Sequence, residues 1–400
     1  MNSNLTDKSR DESRRGTQGP WATYAESTLV WAFLFLTVAV TLVAQTPLVQ
    51  VTPAQRRIDQ ARKEIEKTPK RYQAYAALGA ALLQRERESG DPVYLAKAEE
   101  AVNQSLSLQK DNYEAQRVAA GILIRRGEFG RAKELAKGLN KKNMDDLQPY
   151  GLIADSAIEL GDYKEAEEAA QWMLDLRPAD PRGLERGARL RELFGNPEGA
   201  AQLWLSAMRQ TPEADPEERA WILVSNTRLQ IANHKLEAAE KSIQDAYRLF
   251  PAYHLATLAL ADLRIAQQRY GDAADLLSGM PHLSLESRYT LAEALDKAGR
   301  REAAVNAYGD FERQAKAAMD KPNNANRQLV FYYTHHANNP AEGLRVARAE
   351  AARRHDVFTM DALAWALHAN KDEAEARKEM DKVLAVGIRD SRIRSSELAR

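Results

Sequence analysis

Three arginines at helical spacing are the residues of this chain best placed to do chemistry. Arg182, Arg186 and Arg189 stand at i, i+4 and i+7, so one helical face carries all three guanidinium groups. Planar guanidinium forks grip carboxylates through two parallel hydrogen bonds. The chemistry they offer is recognition of negative charge, not bond making. Catalytic constellations are not legible. His335 and His336 are adjacent, so on a helix they point about 100° apart and do not share a metal. His254 and His282 have no near partner in sequence. The acid pairs Glu99-Glu100 and Glu167-Glu168 sit beside Lys97 and Lys164, which reads as solvated helix surface with local ion pairs. Neither a phosphate-binding GxxxxGK[ST] loop nor a GxSxG elbow occurs. No catalytic residue, no cofactor and no metal ligand is therefore assigned, and the expectation is a protein that is not an enzyme.

Composition narrows the classes further. The 400 residues carry 57 basic and 57 acidic side chains, a balance that argues against a general nucleic-acid binder. With no cysteine there is no disulfide, no zinc–thiolate site and no thiol nucleophile.

The elements that must position the arginines follow from a repeat. Gly127, Gly161 and Gly195 stand 34 residues apart; Ala132, Ala166 and Ala200 keep the same step, as do Pro178 and Pro212. The middle copy, Leu147 to Asp180, explains the spacing. Tyr150, Ile153, Ala154, Ala157 and Ile158 form one apolar helical face. Gly161 ends that helix in the left-handed conformation. A second helix then buries Tyr163, Ala166, Ala170, Met173 and Leu174, and Pro178 closes it. Small Ala154 and Ala166 let the two antiparallel helices approach closely.

This unit resembles the tetratricopeptide repeat, whose pattern is met by Tyr150, Ile153, Ala154, Gly161, Tyr163, Ala166 and Pro178. The resemblance implies an all-α, right-handed α-solenoid. About nine helix–turn–helix repeats and near twenty helices are expected, preceded by one hydrophobic N-terminal helix. It also implies a concave groove lined by first helices that holds a protein or peptide. Carried over position by position, the groove candidates are Arg117 and Arg125 in repeat two and Asp155 in repeat three. Arg182, Arg186 and Arg189 follow in repeat four, Trp221 and Arg228 in repeat five, and Tyr289 and Glu293 in repeat seven. Two uses of this set compete. In one, Arg182, Arg186, Arg189, Trp221 and Arg228 form a basic, aromatic-edged pocket for an acidic peptide or a C-terminal carboxylate. In the other, the arginines pair with Glu185, Glu192 and Glu218 and keep a solvated face soluble. The family's lysine–asparagine carboxylate clamp is absent, since Arg189 stands where its asparagine is expected.

In chain order, residues 1–26 read as a disordered tail. Residues 27–50 read as a transmembrane or signal helix, with Leu29 to Ala44 as an uncharged apolar heart. Trp21 and Tyr24 suit an interfacial belt for an anchor, while Val43-Ala44-Gln45 offers a signal cleavage site with Leu42 where a small residue is preferred. Both readings place the repeats outside the cytoplasm, in the periplasm or envelope. Membrane contact through residues 27–50 is expected if the segment is uncleaved. Residues 51–71 form a linker and capping helix, 72–387 the array and 388–400 a polar tail. Two stretches break the period. Seven extra residues fall in Glu86 to Val93, read as a polar surface loop, and five more are Asp215 to Arg219. Repeat eight, LVFYYTHHANN followed by AEGLRVARAEAARR, is weak.

The functional expectation is a scaffold that binds protein along the groove. The alternative is an assembly factor, or an accessory subunit of an envelope enzyme complex. No nucleic-acid partner is expected, since neither a helix-turn-helix module nor net basic charge is present.

Overall fold

The computed structural model describes residues 51–390 and 393. The tail at 1–26, the hydrophobic segment at 27–50 and most of the C-terminal tail lie outside the described residues. No helix among the described residues is long and apolar enough to cross a membrane.

Residues from Thr52 onward form one compact unit. Helix α1 (Pro53–Lys67) leads, followed by nine helix pairs. The first four are α2 (Tyr72–Ser89) with α3 (Val93–Leu108), α4 (Tyr113–Arg125) with α5 (Phe129–Lys142), α6 (Leu147–Leu160) with α7 (Tyr163–Leu176), and α8 (Pro181–Leu193) with α9 (Pro197–Gln210). Next come α10 (Pro216–Ala232) with α11 (Leu236–Leu249), α12 (His254–Ala266) with α13 (Tyr270–Ser278), and α14 (Leu285–Lys297) with α15 (Arg301–Ala318). The last are α16 (Asn326–His335) with α17 (Pro340–Ala351) and α18 (Val357–Ala369) with α19 (Glu373–Ala385). The described residues contain no strand.

The pairs form where the period predicts them because alanine recurs at the seam. Ala98, Ala132, Ala166, Ala200, Ala239 and Ala273 are all fully buried on the second helices, and Ala304 and Ala376 nearly so. Each removes the bulk that would hold its two helices apart. In repeat eight Gly343 takes this place, where an added Cβ would meet Thr334 Cγ2 at 3.2 Å. That repeat is a regular pair despite its weak pattern. Its core is built of larger side chains: Leu329, Val330 and Tyr333 are buried against Phe311 of the preceding repeat.

Helix starts are set by side-chain caps. Asp146 accepts from the backbone N–H of Gln148 and Asp180 from that of Arg182. Helix ends are set by left-handed residues. Gly161 (φ +86°) and Gly195 (φ +75°) hold that conformation, but His234, Gln268, Asn338 and Lys371 also adopt it in other repeats. Conformation alone therefore does not explain the glycines. A Cβ on Gly161 would lie 2.5 Å from the backbone of His355, and one on Gly195 would lie 2.1 Å from the carbonyl oxygen of Gly387.

Those approaches are part of a long-range seam. The array coils so that its later repeats seat on its earlier ones. Gly90 abuts His254, Gly127 abuts Pro322, Gly161 abuts His355 and Gly195 abuts Gly387. Backbone hydrogen bonding crosses the same line: His355 N–H donates to Leu160 O at 2.9 Å. Val357 N–H donates to the Tyr163 hydroxyl at 2.6 Å.

The first period break differs from the sequence reading. Glu86 to Ser89 are not loop but the last turn of α2, and Glu86 and Glu88 are buried. Glu88 earns that position by accepting from Thr52 Oγ1 at 2.5 Å, Ala54 N at 3.2 Å and Arg85 at 2.9 Å. It thereby satisfies the start of α1. The second break, Asp215 to Arg219, is the N-cap and first turn of an extended α10.

Candidate functional site

The first helices carry the groove candidates, and each arginine arrives there through local helix geometry. On α8, Asp180 caps the N-terminus, and its carboxylate also takes Arg182 through two bonds, Nε at 2.9 Å and Nη2 at 2.8 Å. Burial would raise the Asp180 carboxyl, but Arg182 and the capping N–H outweigh it and hold the group below its usual range. One turn on, Arg186 Nη2 donates to Asp155 of α6 at 2.6 Å and Nη1 to the carbonyl of Arg182 at 3.1 Å. Arg189 shares the same aspartate at 3.0 Å and approaches Glu159 at 3.5 Å.

The three guanidinium groups are thus together on one face, but already engaged. Their partners are Asp155, Glu159 and Asp180. Of the glutamates expected from sequence, Glu185 reaches Arg186 only at 4.0 Å. The pairing had a legible signal. Asp155 and Arg189 stand one 34-residue period apart, so they occupy equivalent places on adjacent first helices.

The other candidates distribute as follows. Arg125 forms a two-pronged pair with Glu86 of α2 at 2.9 and 2.6 Å. Arg117 bonds Asp146 at 3.0 Å and pairs with Glu114. Tyr113 donates to the same Asp146 at 2.9 Å, and burial with that bond pushes its phenol up to about 12. Tyr289 is buried in the aromatic core with Tyr308 and Phe311, its hydroxyl donating to Glu293 at 3.1 Å; it is not on an open face. Trp221 is half-buried and packs on the cores of both repeats four and five. Arg228 is half-buried and forms no ion pair among the described residues. Burial holds the His254 imidazole below its ordinary value against Glu88 and Glu86, with nearby Arg125 and Arg228 adding to it.

The histidine pair separates. His335 lies 5.0 Å from the Trp365 ring, while His336 stacks 4.2 Å from Tyr308 and hydrogen-bonds its hydroxyl at 2.9 Å. No group of three or more histidines and acids that could hold a metal ion occurs among the described residues.

Comparison with known proteins agrees with the fold. Residues 152–217 and 228–282 match the tetratricopeptide repeat family model. No curated protein matches the chain. Among solved structures, the APC/C hetero-tetramer Cut9-Hcn1 aligns over 82% of this chain and 59% of that one, with a TM-score of 0.54 at 13% identity. The human IFIT1 dimer with m7Gppp-AAAA aligns over 83% of this chain and 77% of its own, with a TM-score of 0.51 at 14% identity. The chain thus spans less than two thirds of the length of the first of these relatives. At such identities the likeness is one of fold alone. Residues 152–217 and 228–282 thus carry tetratricopeptide repeats, within an all-helical array whose fold these structures share.

Proposed function

We propose that the chain is a non-catalytic scaffold that holds a protein or peptide partner on the face of its first helices, centred on α8 and α10. Tetratricopeptide repeats suit protein interaction in general, because stacking makes a long, rigid surface from small units. The observation that carries the reading is the pre-ordered row on α8. Asp155 and Asp180 fix Arg182, Arg186 and Arg189 in place, so a partner carboxylate meets guanidinium groups that have already lost their rotamer freedom. Arg182 keeps 43% of its side chain exposed and Arg125 keeps 47%, while Arg228 has no ion pair among the described residues. An acidic segment or a C-terminal carboxylate is the chemistry that fits. Residues 27–50 would tether the array to a membrane, or direct its export, and hold the partner near the envelope.

Crosslinking pull-down from membranes tests this, comparing the native protein with Arg182→Glu/Arg228→Glu. Capture of one partner by the native chain and its loss in the variant supports the reading. Equal capture by both places the binding surface elsewhere. The size of the recovered chain separates an anchor (full length) from a cleaved signal (loss near Ala44).

A further inference from the structure

The first helices change chemical character along the array. In repeats three and four, Asp155 and Arg189 each stand six residues before the left-handed residue that ends the helix, Gly161 and Gly195. In repeat nine the same place, six before Lys371, is held by Trp365. Phe331 of repeat eight stands one 34-residue period before Trp365, as Asp155 stands before Arg189. Along α18, Phe358, Ala362 and Trp365 lie at i, i+4 and i+7, where α8 has Arg182, Arg186 and Arg189. The positions that are charged in repeats three and four are thus aromatic in repeats eight and nine.

These rings form a row. Phe331 stacks on His335 with centroids 6.1 Å apart and planes at 20°. His335 lies 5.0 Å from Trp365, and Trp365 lies 6.0 Å from His368. His335 is exposed, and Phe331, Trp365 and His368 are partly so.

Little charge accompanies them. Apart from histidine, α16 has one charged residue, Arg327, and α18 has one, Asp361. The Arg327 guanidinium sits 5.6 Å over the Phe358 ring and 3.7 Å from Asp356, and Asp361 is only 2% exposed. Uncharged polar groups are committed as well. Gln328 donates to Glu286 at 3.0 Å, Thr334 to the Val330 carbonyl at 3.0 Å and Thr359 to Asp356 at 2.5 Å. His368 is held by Glu373 at 3.0 Å.

That chemistry selects among ligands. A nucleic acid needs cations for its phosphates, and the one arginine of these two helices is engaged. A sugar chain brings hydroxyls, and an ordinary peptide brings N–H groups, to a face with few acceptors to receive them. Proline has no N–H, so a proline-rich segment lays apolar rings on the row and strands no donor. In the polyproline II helix its carbonyls stay solvated, and the extended form is set before binding, which limits the ordering cost. Two turns of that helix run about 19 Å, which suits a row of three ring-to-ring steps of 6.1, 5.0 and 6.0 Å.

We propose that the first helices of repeats eight and nine form a second partner site, an aromatic row that takes an uncharged, proline-rich extended segment. It shares no residue with the arginine face of α8 and α10, and it stands whether or not that face binds an acidic partner.

Fluorescein-labelled decaproline is the probe, titrated with the full-length protein in detergent solution and followed by fluorescence anisotropy. Binding should saturate and be displaced by unlabelled decaproline, but not by a glycine–serine peptide of the same length or by cellohexaose. Trp365→Leu and His335→Ala should each weaken it at least about ten-fold, while Trp365→Phe keeps most of it. Arg182→Glu/Arg228→Glu should bind decaproline as the native chain does. Circular dichroism confirms the helices of each variant, and His335 is exposed, so its loss leaves the fold intact. No binding up to about 1 mM peptide overturns the proposal, as does native-like binding by a folded Trp365→Leu together with His335→Ala. Displacement by cellohexaose overturns it in favour of a sugar ligand, and loss of binding in the arginine variant moves the peptide to α8 and α10.

Discussion

At Gly195 the backbone turns through φ +75° with the carbonyl oxygen of Gly387 where a side chain would begin. Two costs meet there. A left-handed non-glycine residue costs about 1–2 kcal/mol, and the approach of another backbone forces part of the seam to shift. Gly299 has the same conformation (φ +76°) but nothing within 4 Å of its missing Cβ. Urea denaturation should therefore separate them. Gly299→Ala should lose about 1 kcal/mol, and Gly195→Ala clearly more; equal losses would mean the seam at Gly387 contributes nothing. A second residue-scale prediction concerns bulk. Trp204 is 1% exposed within the core of repeat four. Trp204→Ala should cost about 3–5 kcal/mol, read as the loss of the denaturant transition that includes α8 to α10.

Helix starts are the elements whose stability answers to pH. Asp146 and Asp180 each cap a first helix and each hold an arginine. In both, burial raises the carboxyl, but the bonds to the charged form prevail and the group sits lower than usual. A carboxyl lowered in the folded state adds stability above its ordinary range and loses it as pH falls through the folded value. Thermal melts should thus show α6 and α8 weakening on acidification below about pH 4. Asp180→Asn keeps a capping oxygen but drops the charge, and should flatten much of that acid dependence at a cost near 1 kcal/mol. The same element scale explains the misread break at Glu86. A run of ERES beside glycine and proline has the composition of a polar loop. It continues α2 because Glu86 and Glu88 each find a partner on another element, Arg125 for one and Thr52 with Ala54 for the other. Nothing in the local sequence announces those partners.

For the whole molecule, the seam changes what kind of array this is. Ordinary repeat arrays are held by nearest-neighbour contacts, so their ends behave independently. Here repeats eight and nine seat on repeats two to four through Pro322, His355, Val357 and Gly387. A chain ending at residue 325 should therefore do more than lose its last helices. Hydrogen exchange at the α6–α7 turn, Leu160 to Tyr163, should rise in the truncated protein, together with a lower melting temperature. Unchanged protection there would show that the later repeats rest on the earlier ones without stabilising them.

The helices, the nine pairs and the seam alanines were legible in the sequence because they depend on a period, and a period is local information repeated. The arginine row on α8 was legible for the same reason: i, i+4 and i+7 fix a shared face whatever surrounds it. Its partners were half legible, since Asp155 lies one period before Arg189 and adjacent repeats juxtapose equivalent positions. What the tertiary structure alone decided lies more than one repeat away in sequence. That includes the glycines that serve as contacts as well as caps, and the meeting of Arg87 with Glu217 and Glu218. The physical reason is cumulative. Small rotations between successive repeats add up until distant first helices touch. The residues that meet there are set by the sum of those rotations, which no single repeat encodes.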